Sequence, residues 1–307
     1  CVRAAGIEAG DLVLTTPFSF VSSTNVILFE NAIPVFVDAE PQTGNIDVVQ
    51  LAQAAVDLTT GGDRAAKWLP KGVTEYGPLK AILPVDVFGQ PAEYDAINDI
   101  AKQYNLKVIE DSCEALGGEY KGRKAGMLGD YGVFAFYPNK QITVGEGGMI
   151  VTDDDEAAVL MQSLRNQGRA VGDTWLQHTR LGYNYRLDEM SAALGAVQMK
   201  RLPGLLEKRA QVAAWYEDGL DGLDAIQMPW LTPSCTDVSW FVYVVRLAEG
   251  LDRTEIANKL ADYGIPSRPY FSPIHLQPYM VEKFGYQQGD YPVTEMLGER
   301  NMAIPFS

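Results

Sequence analysis

The sequence predicts an α/β fold with a mainly parallel sheet, followed by a smaller α+β part. Two observations carry this prediction. Apolar strand-like runs alternate with helix-like segments through the first half of the chain, which is typical of a parallel sheet covered by helices on both faces. Beyond residue 220 the pattern changes to a β-branched strand, a helix and a proline-rich stretch. With 307 residues, 47% of them hydrophobic, the chain can bury the cores of two domains.

Four strands are predicted before residue 112, and four helices before residue 166. Short apolar runs place the strands at Asp11–Thr15, Ile33–Val37, Leu79–Val85 and Leu106–Glu110. Helical spacing of apolar residues places the helices at Val21–Phe29, Asp47–Val56, Pro91–Tyr104 and Glu156–Arg165. The polar, glycine-containing stretch Thr59–Glu75 predicts a loop.

The rest of the chain begins with a helix that Asp188 is predicted to cap. Pro203 is expected to interrupt this helix, and a second helix is expected to run to about Leu220. We therefore place a domain boundary near Pro203, between a large domain, 1–203, and a small C-terminal domain, 204–307. Further predicted elements are a strand at Ser239–Leu247, a helix at Arg253–Tyr263 and an extended segment at Pro266–Pro278.

Charge and cysteine content exclude several classes of partner. The net charge of −15 argues against nucleic acid, because neutralising phosphates requires a basic face and no run is rich in lysine or arginine. No apolar run approaches the length of a membrane span, so no membrane partner is expected. Cys1, Cys113 and Cys235 lie far apart, without the spacing of a metal site or a disulfide framework. This pattern predicts no metal and a reducing, cytoplasmic compartment.

Both ends differ from those of a whole protein. The chain starts without an initiator methionine, and Cys1–Ile7 resembles the last turns of a helix. It stops at Ser307 without a terminal helix. We therefore expect a fragment that lacks both ends of a longer chain.

Lys140 is the most informative residue for function. The apolar run Phe134–Phe136 stops at Pro138–Asn139, presents this lysine, and passes through Gly145–Gly148 into a second apolar run, Met149–Val151. A lysine held on a turn between two buried strands is well placed to form a Schiff base with a carbonyl group. The glycines are expected to form a turn and not a phosphate loop, because no Gly-Lys-Ser/Thr ending follows them. A solvated surface lysine is the alternative.

An acid and an aromatic ring near this lysine would complete a pyridoxal phosphate site. The fourth predicted strand leads to Asp111, and ligands bind at the carboxyl ends of parallel strands. A carboxylate beside the pyridine nitrogen would keep that nitrogen protonated. Asp38 and Asp86 fall at the same edge, so position alone does not single out Asp111. Phe18 or Phe20 could cover the ring face, although a phenylalanine such as Phe20 is more often part of the core.

Taken together, six segments resemble, in order and almost from end to end, motifs of the DegT/DnrJ/EryC1/StrS family of pyridoxal-phosphate-dependent sugar aminotransferases. They are Pro34–Asp38 with Asn45–Asp47, Pro84–Pro91, Glu110–Ala115, Tyr137–Lys140 with Gly145–Gly148, Leu181–Leu187, and Arg268–Phe271 with Ile274–Gln277. Six ordered motifs form a highly specific signature.

The resemblance implies a fold type I enzyme that works as a homodimer with shared active sites. It implies transfer of an amino group, most simply from L-glutamate, through pyridoxal phosphate to a keto group on a nucleotide-linked deoxysugar. Lys140 would form the Schiff base and move the proton, Asp111 would pair with the pyridine nitrogen, and Phe20 would stack on the ring. Such enzymes serve polysaccharide or secondary-metabolite sugar biosynthesis.

The resemblance also implies residues nearer to the phosphate and the substrate. Asn184 would reach the cofactor phosphate of the neighbouring subunit. Tyr270 and His275 belong to the substrate-side motif, and His275 would lie near the substrate across the interface; a surface-loop imidazole is the alternative. Arg186 could bind the donor carboxylate or a substrate phosphate, or make a structural ion pair.

Two positions depart from the family pattern, and both would contact the cofactor. The family usually has Gln or His where this chain has Glu114, whose carboxylate would repel the cofactor's ring oxygen unless it is protonated or turned away. The family usually has Ser where this chain has Ala135, and the lost hydrogen bond to phosphate is worth roughly 1.5–3 kcal/mol. The family's phosphate loop is expected before residue 1. The full gene product is therefore expected to bind the cofactor, and this segment alone to bind it poorly.

Three alternatives stay open on the sequence. A sugar dehydratase of the same family would share the cofactor, but those enzymes replace the lysine with histidine, so Lys140 disfavours one. A catalytically inactive binding or regulatory homologue gains weight from Glu114 and Ala135, because a fold does not determine a function. A nicotinamide-dependent enzyme on a doubly wound sheet is disfavoured because no Gly-x-Gly-x-x-Gly follows an early strand.

Overall fold

The computed structural model describes residues 1–306. Its strands are β1 (Leu12–Thr15), β2 (Ile33–Phe36), β3 (Leu79–Leu83), β4 (Lys107–Asp111), β5 (Glu119–Tyr120), β6 (Arg123–Lys124), β7 (Tyr131–Ala135), β8 (Gly148–Val151), β9 (Ile226–Gln227), β10 (Cys235–Asp237), β11 (Tyr243–Leu247), β12 (Arg268–Pro269) and β13 (Asn301–Ile304). Its α-helices are α1 (Ser22–Phe29), α2 (Val48–Thr60), α3 (Asp63–Ala66), α4 (Tyr94–Tyr104), α5 (Asp155–Arg165), α6 (Glu189–Leu220), α7 (Arg253–Asp262), α8 (Pro278–Phe284) and α9 (Pro292–Arg300). Short 3-10 helices cover Val87–Gly89 and Ile274–Leu276.

A six-stranded sheet in the order β2-β1-β3-β4-β7-β8 organises the first part of the chain. The first five strands in that order are parallel, and β8 runs antiparallel to β7. All of β1 and β2 is buried, as is the second half of β3. Continuous burial is what apolar runs without alternation predict for parallel strands covered on both faces. The predicted α/β fold with a mainly parallel sheet is confirmed.

Helices cover this sheet because each carries one apolar stripe. Leu51 and Leu58 of α2 lie in the same buried cluster as Ile97 of α4 and the strand residues that they cover. Asp47 caps α2 by accepting the N–H groups of the first turn at 2.8 and 3.0 Å. The predicted helices are thus present, with ends shifted by a few residues.

A separate antiparallel sheet in the order β12-β13-β11-β9 lies in the C-terminal part. Tyr243, Val245 and Leu247 of β11 alternate into a core with Met302 of β13. Helices α7, α8 and α9 belong to the same part of the chain, so the predicted α+β composition of this part is confirmed. The domain boundary near Pro203 stays a prediction.

One long helix replaces the two that were predicted around Pro203. α6 runs for 32 residues with Pro203 inside it, so the predicted interruption is wrong. Proline in a helix costs roughly 3 kcal/mol. Leu202 is buried in one apolar cluster and the half-buried Leu205 and Leu206 pack against it, on either side of the proline. Full burial of a leucine contributes about 1.5–3 kcal/mol. At the N-terminus Asp188 is the cap, as predicted, because its side chain accepts a backbone N–H at 2.9 Å.

Two smaller expectations are also wrong. Thr59–Glu75 is not all loop, because α2 continues to Thr60 and α3 follows it, with Ala65 buried against the α2 cluster. β8 is not a buried strand, since Met149 and Ile150 are 49% and 40% exposed. It lies at the edge of the sheet, where only one side has a neighbour.

Among residues 1–306, no helix combines the length and apolarity that crossing a membrane requires. The same residues contain no group of three or more His, Cys, Asp or Glu side chains placed to hold a metal ion. The three cysteines are free thiols.

Candidate active site

The carboxyl ends of β3, β4 and β7 meet at one edge of the central sheet. Asp111 ends β4, and its carbonyl accepts the N–H of Asp86, which follows β3, at 3.0 Å. The next loop carries Cys113 and Glu114, and the turn after β7 carries Lys140. The structure therefore brings Asp111, Glu114 and Lys140 together, although they lie on separate segments.

A tight, anchored turn presents Lys140. The Lys140 N–H donates to the Tyr137 carbonyl at 2.9 Å, and the Phe136 N–H donates to the Gly147 carbonyl at 2.8 Å. Ile142, just beyond the lysine, is buried in the cluster that also holds Phe136. The backbone on both sides of the lysine is thus fixed by its neighbours.

The Lys140 amine is largely shielded from solvent. Its side chain is 14% exposed, and Nζ lies 3.6 Å from Oε1 of Glu114. The Phe241 ring centre lies 4.2 Å from the same nitrogen. At 3.6 Å the carboxyl attracts the amine without holding it in a hydrogen bond, so the amine can still react.

Glu114 is the buried acid of the site. Its Oε2 accepts the Phe88 N–H at 2.9 Å. Burial raises the pKa of Glu114 to about 7, and the charge of Lys140 offsets this only in part. Near neutral pH the carboxyl is therefore protonated in part of the molecules. Tyr270, whose ring centre is 6.4 Å from that of Phe241, also has its pKa raised, mainly by burial and further by the charge of Glu114.

Asp111 keeps its carboxylate open to a ligand. Oδ1 accepts the Cys113 N–H at 3.2 Å, and no other side-chain hydrogen bond reaches this carboxylate from residues 1–306. Burial raises the pKa of the Cys113 thiol well above its usual value, and the charge of Asp111 adds to this effect. The thiol therefore stays protonated beside the carboxylate.

Asp86 belongs to a buried network next to Asp111. The Ser112 hydroxyl lies 2.7 Å from Asp86 Oδ2 and 2.9 Å from Glu110 Oε1. Glu110 also accepts three N–H groups of the turn Gly126–Gly129, which favours its ionised form. One hydroxyl hydrogen cannot serve two carboxylates, so Asp86 carries the proton that completes the chain. Burial raises the pKa of both acids, and that of Asp86 the more strongly.

Asp38, the third aspartate at this edge, also has a structural role. It accepts the Val293 N–H and both the N–H and the hydroxyl of Thr294 at 2.7–3.0 Å. It thereby satisfies backbone donors in the first turn of α9. Of the three strand-end aspartates, Asp111 is the one whose carboxylate is not tied to the fold.

The two candidate stacking residues have different surroundings. Phe18 is fully buried, with its ring edge-to-face against Phe88 and Phe271 at 6.0 and 5.7 Å. Phe20 is 65% exposed. Phe20 is therefore the residue with a ring face free to cover a cofactor, and Phe18 is a core residue.

Asn184 and Arg186 lie on an exposed segment before α6. Asn184 forms an isolated bridge with Asn166, and Arg186 Nη1 donates to the Asn166 side-chain oxygen at 3.2 Å. Among residues 1–306 no acidic side chain lies within ion-pair distance of Arg186. Among residues 1–306 no hydrogen bond or ion pair joins Asn184 or Arg186 to Lys140.

His275 is buried and not a surface-loop residue, so that alternative is wrong. Its Nε2 lies 3.0 Å from Oε1 of Glu295, and its ring centre is 4.8 Å from that of Tyr291. Burial lowers the pKa of His275, and Glu295 acts in the opposite direction. Nδ1 has no hydrogen-bond partner among residues 1–306.

The residues at the sheet edge fit pyridoxal phosphate at its ring and aldehyde. Lys140 offers an amine free of hydrogen bonds, and Asp111 offers a carboxylate oxygen without a protein donor. Phe20 offers an exposed aromatic face. Ala135, at the end of β7, has no hydroxyl to offer the phosphate.

Three residues that shape the site were missed from the sequence. Phe88 holds Glu114 through its backbone, Phe241 lies against the lysine amine, and Gln141 bridges segments through its carboxamide. Adjacency to Lys140 could have drawn attention to Gln141. Phe241 comes from the C-terminal part, and no local pattern signals its contact.

The chain matches the model of the DegT/DnrJ/EryC1/StrS aminotransferase family over residues 1–307. It is 37% identical over 305 residues to the GDP-perosamine synthase of Caulobacter vibrioides, covering 98% of this chain and 76% of that protein. It is 32% identical over 309 residues to the UDP-N-acetyl-3-dehydro-alpha-D-glucosamine 3-aminotransferase of Acidithiobacillus ferrooxidans, covering 99% and 74%. A crystal structure of a DegT DnrJ EryC1 StrS aminotransferase from Brucella abortus matches with a TM-score of 0.86 and 31% identity, over 99% of this chain and 76% of that one. The chain belongs to the DegT/DnrJ/EryC1/StrS aminotransferase family, whose members depend on pyridoxal phosphate.

Proposed function

We propose that this protein moves an amino group from L-glutamate, through pyridoxal phosphate, to a keto group on a nucleotide-linked deoxysugar for polysaccharide or secondary-metabolite biosynthesis. The observation that carries the proposal is the Lys140 amine beside the buried Glu114, at the edge where β4 ends in Asp111. Two relatives are named for GDP- and UDP-linked sugars, which supports a nucleotide-linked acceptor.

The proposed role of each residue follows from the chemistry of its side chain. When bound, the cofactor supplies an aldehyde that condenses with amines and a ring that accepts electrons. Lys140 would hold the aldehyde end through Nζ and, once the donor displaces it, would take the proton from the donor's α-carbon. Asp111 would keep the ring nitrogen protonated. Phe20 would cover one ring face and exclude water from it.

Glu114 would work here as a partly neutral acid. An ionised Glu114 would repel the cofactor's ring oxygen, whereas its protonated form would not. Its Oε1 is 3.6 Å from Lys140 Nζ, so its ionised form can balance the charge of the lysine when the amine is protonated.

The burial of Glu114 makes the stability of the cofactor-free protein depend on pH. Its folded pKa of about 7 lies above the ordinary value of 4.5, so the stability that the buried neutral form contributes is complete below about pH 4.5 and is lost as the pH rises through 7. One pKa unit corresponds to about 1.4 kcal/mol. Urea unfolding should therefore show the wild type losing up to about 3 kcal/mol more than Glu114→Gln between acidic and alkaline pH. Parallel pH profiles of the two proteins would contradict this.

We also propose a homodimer with shared active sites, working in the cytoplasm. One stretch before and at the start of α6 exposes large apolar side chains by 71 to 92%: Val171, Trp175, Leu176, Leu181, Tyr185 and Met190. Such a concentration of apolar surface is typical of an interface. Asn184 and Arg186 lie in the same stretch, so a partner docked there would be within reach of Asn184. The free thiols support a reducing compartment.

Leu181→Asp is expected to weaken the dimer without unfolding the subunit. Leu181 is 82% exposed in the single chain, so a charge there meets water in the monomer but is desolvated in the proposed interface. Sedimentation velocity should show a shift towards monomer. Val49→Asp, at a position 76% exposed on α2, is the matched control. A Leu181→Asp protein that sediments as the wild type does would place the interface elsewhere.

A visible absorbance spectrum with added pyridoxal phosphate, taken before and after L-glutamate, tests the proposed function. The expected result is a cofactor band that changes with glutamate, followed by amination of a nucleotide-linked keto sugar detected by mass spectrometry. A bound cofactor that responds to no amino donor would instead favour a binding or regulatory protein.

A further inference from the structure

Gln141, the residue next to Lys140, is 5% exposed and bridges two other segments. Its carboxamide nitrogen donates to the Glu114 carbonyl at 2.5 Å and to the Ser239 hydroxyl. The Ser239 hydroxyl donates in turn to the Leu116 carbonyl at 2.8 Å. Both carboxamide hydrogens and the hydroxyl hydrogen are thus engaged in one continuous chain of bonds.

The backbone segments that meet at this chain are closely packed. A Cβ placed on Gly89 would lie 3.1 Å from the Glu114 carbonyl oxygen and 3.2 Å from the Phe241 nitrogen. The Ser239 N–H donates to the Gly89 carbonyl at 3.2 Å. The loop that carries Glu114 and the segment that carries Phe241 are therefore held at a fixed spacing.

These two segments supply the neighbours of the Lys140 amine. Glu114 Oε1 lies 3.6 Å and the Phe241 ring centre 4.2 Å from Nζ. The backbone hydrogen bonds of the lysine turn stay within residues 136–147. The Gln141 side chain supplies the hydrogen bonds that leave the turn and reach both neighbouring segments. It is therefore placed to decide how far the amine lies from its two partners.

We propose that Gln141 and Ser239 form a positioning relay that fixes the Lys140 amine against Glu114 and Phe241 and so holds it where it reacts with the cofactor. The inference rests on the proposed role of Lys140. Both relay residues act through Lys140 and its neighbours, and neither needs to touch the substrate.

The relay depends on the donors and the length of glutamine. A leucine would fill a similar volume and donate nothing, and an asparagine would fall one methylene short. A glutamate would place carboxylate oxygen against the Glu114 carbonyl. At position 239, alanine would remove the hydroxyl, whereas threonine would keep it.

The test compares Gln141→Leu, Ser239→Ala and Ser239→Thr with the wild type. One readout is the rate at which the visible band forms with added pyridoxal phosphate at a fixed pH. The other, on cofactor-free protein, is the rate at which Lys140 reacts with an amine-specific reagent, located by mass spectrometry. A displacement of about 1 Å costs a positioned group up to about 10²-fold in rate. Gln141→Leu should therefore slow formation of the band about tenfold and change the rate at which the reagent modifies Lys140.

Gln90→Leu is the matched control. Gln90 is also 5% exposed, and its carboxamide bonds to the Trp230 carbonyl and the Thr232 N–H. It should lower the unfolding temperature as Gln141→Leu does while leaving both rates unchanged. Ser239→Ala should act in the same direction as Gln141→Leu, and Ser239→Thr should behave as the wild type.

A Gln141→Leu protein that loses stability but keeps the wild-type rates in both readouts would overturn the inference. If that variant does not fold, Ser239→Ala is compared with Ser239→Thr, and equal rates for the two would overturn it. Failure of the wild type to form a lysine-dependent band would overturn the proposed function instead. The reagent experiment on cofactor-free protein would still test the relay.

Discussion

Replacing Lys140 with alanine is expected to remove the visible band that forms with pyridoxal phosphate and to lower amino transfer at least about 10³-fold. The Lys140 amine is the one that the sheet edge holds beside Glu114, free of hydrogen bonds and 14% exposed. Proton transfer by a positioned group contributes about 10²–10⁴-fold, and loss of the covalent partner adds to this. Absorbance and single-turnover kinetics with L-glutamate measure both effects.

Two variants sharpen this experiment. Lys140→Arg keeps a positive charge beside Glu114 but lacks a nucleophilic amine, so it should be as inactive as the alanine variant while retaining the native charge balance. Lys124→Ala removes a lysine whose side chain is 56% exposed and which pairs with Glu119 at 2.7 Å. It should keep the band and the activity. A band that persists in Lys140→Ala would mean that another amine holds the cofactor, and the assignment of Lys140 would fail.

Asp111→Asn is expected to lower kcat/KM about 10–10³-fold while leaving the fold intact. An adjacent carboxylate raises the pKa of a protonated nitrogen by about 1–3 units, and each unit corresponds to about 1.4 kcal/mol, or tenfold. Asparagine has the same shape, and its carbonyl can still accept the Cys113 N–H that Asp111 accepts at 3.2 Å. The measurement is kcat/KM for L-glutamate, together with the pH dependence of the bound cofactor's absorbance.

Asp95→Asn is the control for this substitution, because Asp95 forms an exposed ion pair with Lys121 on the surface. Loss of an exposed pair costs about 1 kcal/mol or less, so activity should stay within about twofold. An Asp111→Asn enzyme with full kcat/KM and an unchanged cofactor spectrum would show that the ring nitrogen does not depend on Asp111.

Local pattern sufficed for most of the fold. Apolar runs gave the parallel strands because those strands are covered on both faces, and Asp47 and Asp188 were recognisable as helix caps because capping is a local interaction. Prediction failed where packing between segments distant in sequence determines the course or the burial of an element. α6 runs through Pro203 because leucines on both sides of it pack on one cluster. β8 carries an apolar sequence and yet lies exposed at the sheet edge.

The same contrast between local signals and tertiary contacts applies to the residues of the candidate site. Lys140 and Asp111 could be proposed from sequence because a turn lysine and a strand-end acid are local signals. Three strand-end aspartates were equivalent at that level. Tertiary contacts separated them, because Asp38 caps α9 and Asp86 shares a proton with a buried network, whereas the Asp111 carboxylate is left open.

The sequence by itself determined the fold class and the family and pointed to Lys140 as the candidate lysine, since each follows from local periodicity or from contiguous motifs. Only the tertiary structure decided the environment of that lysine. Glu114 titrates near neutral pH because folding buries it. The Phe241 ring reaches the amine from a distant segment, and the Gln141 side chain next to the lysine bonds to the distant Ser239. Desolvation and contacts between distant segments arise only when the chain folds, so no local sequence pattern can predict them.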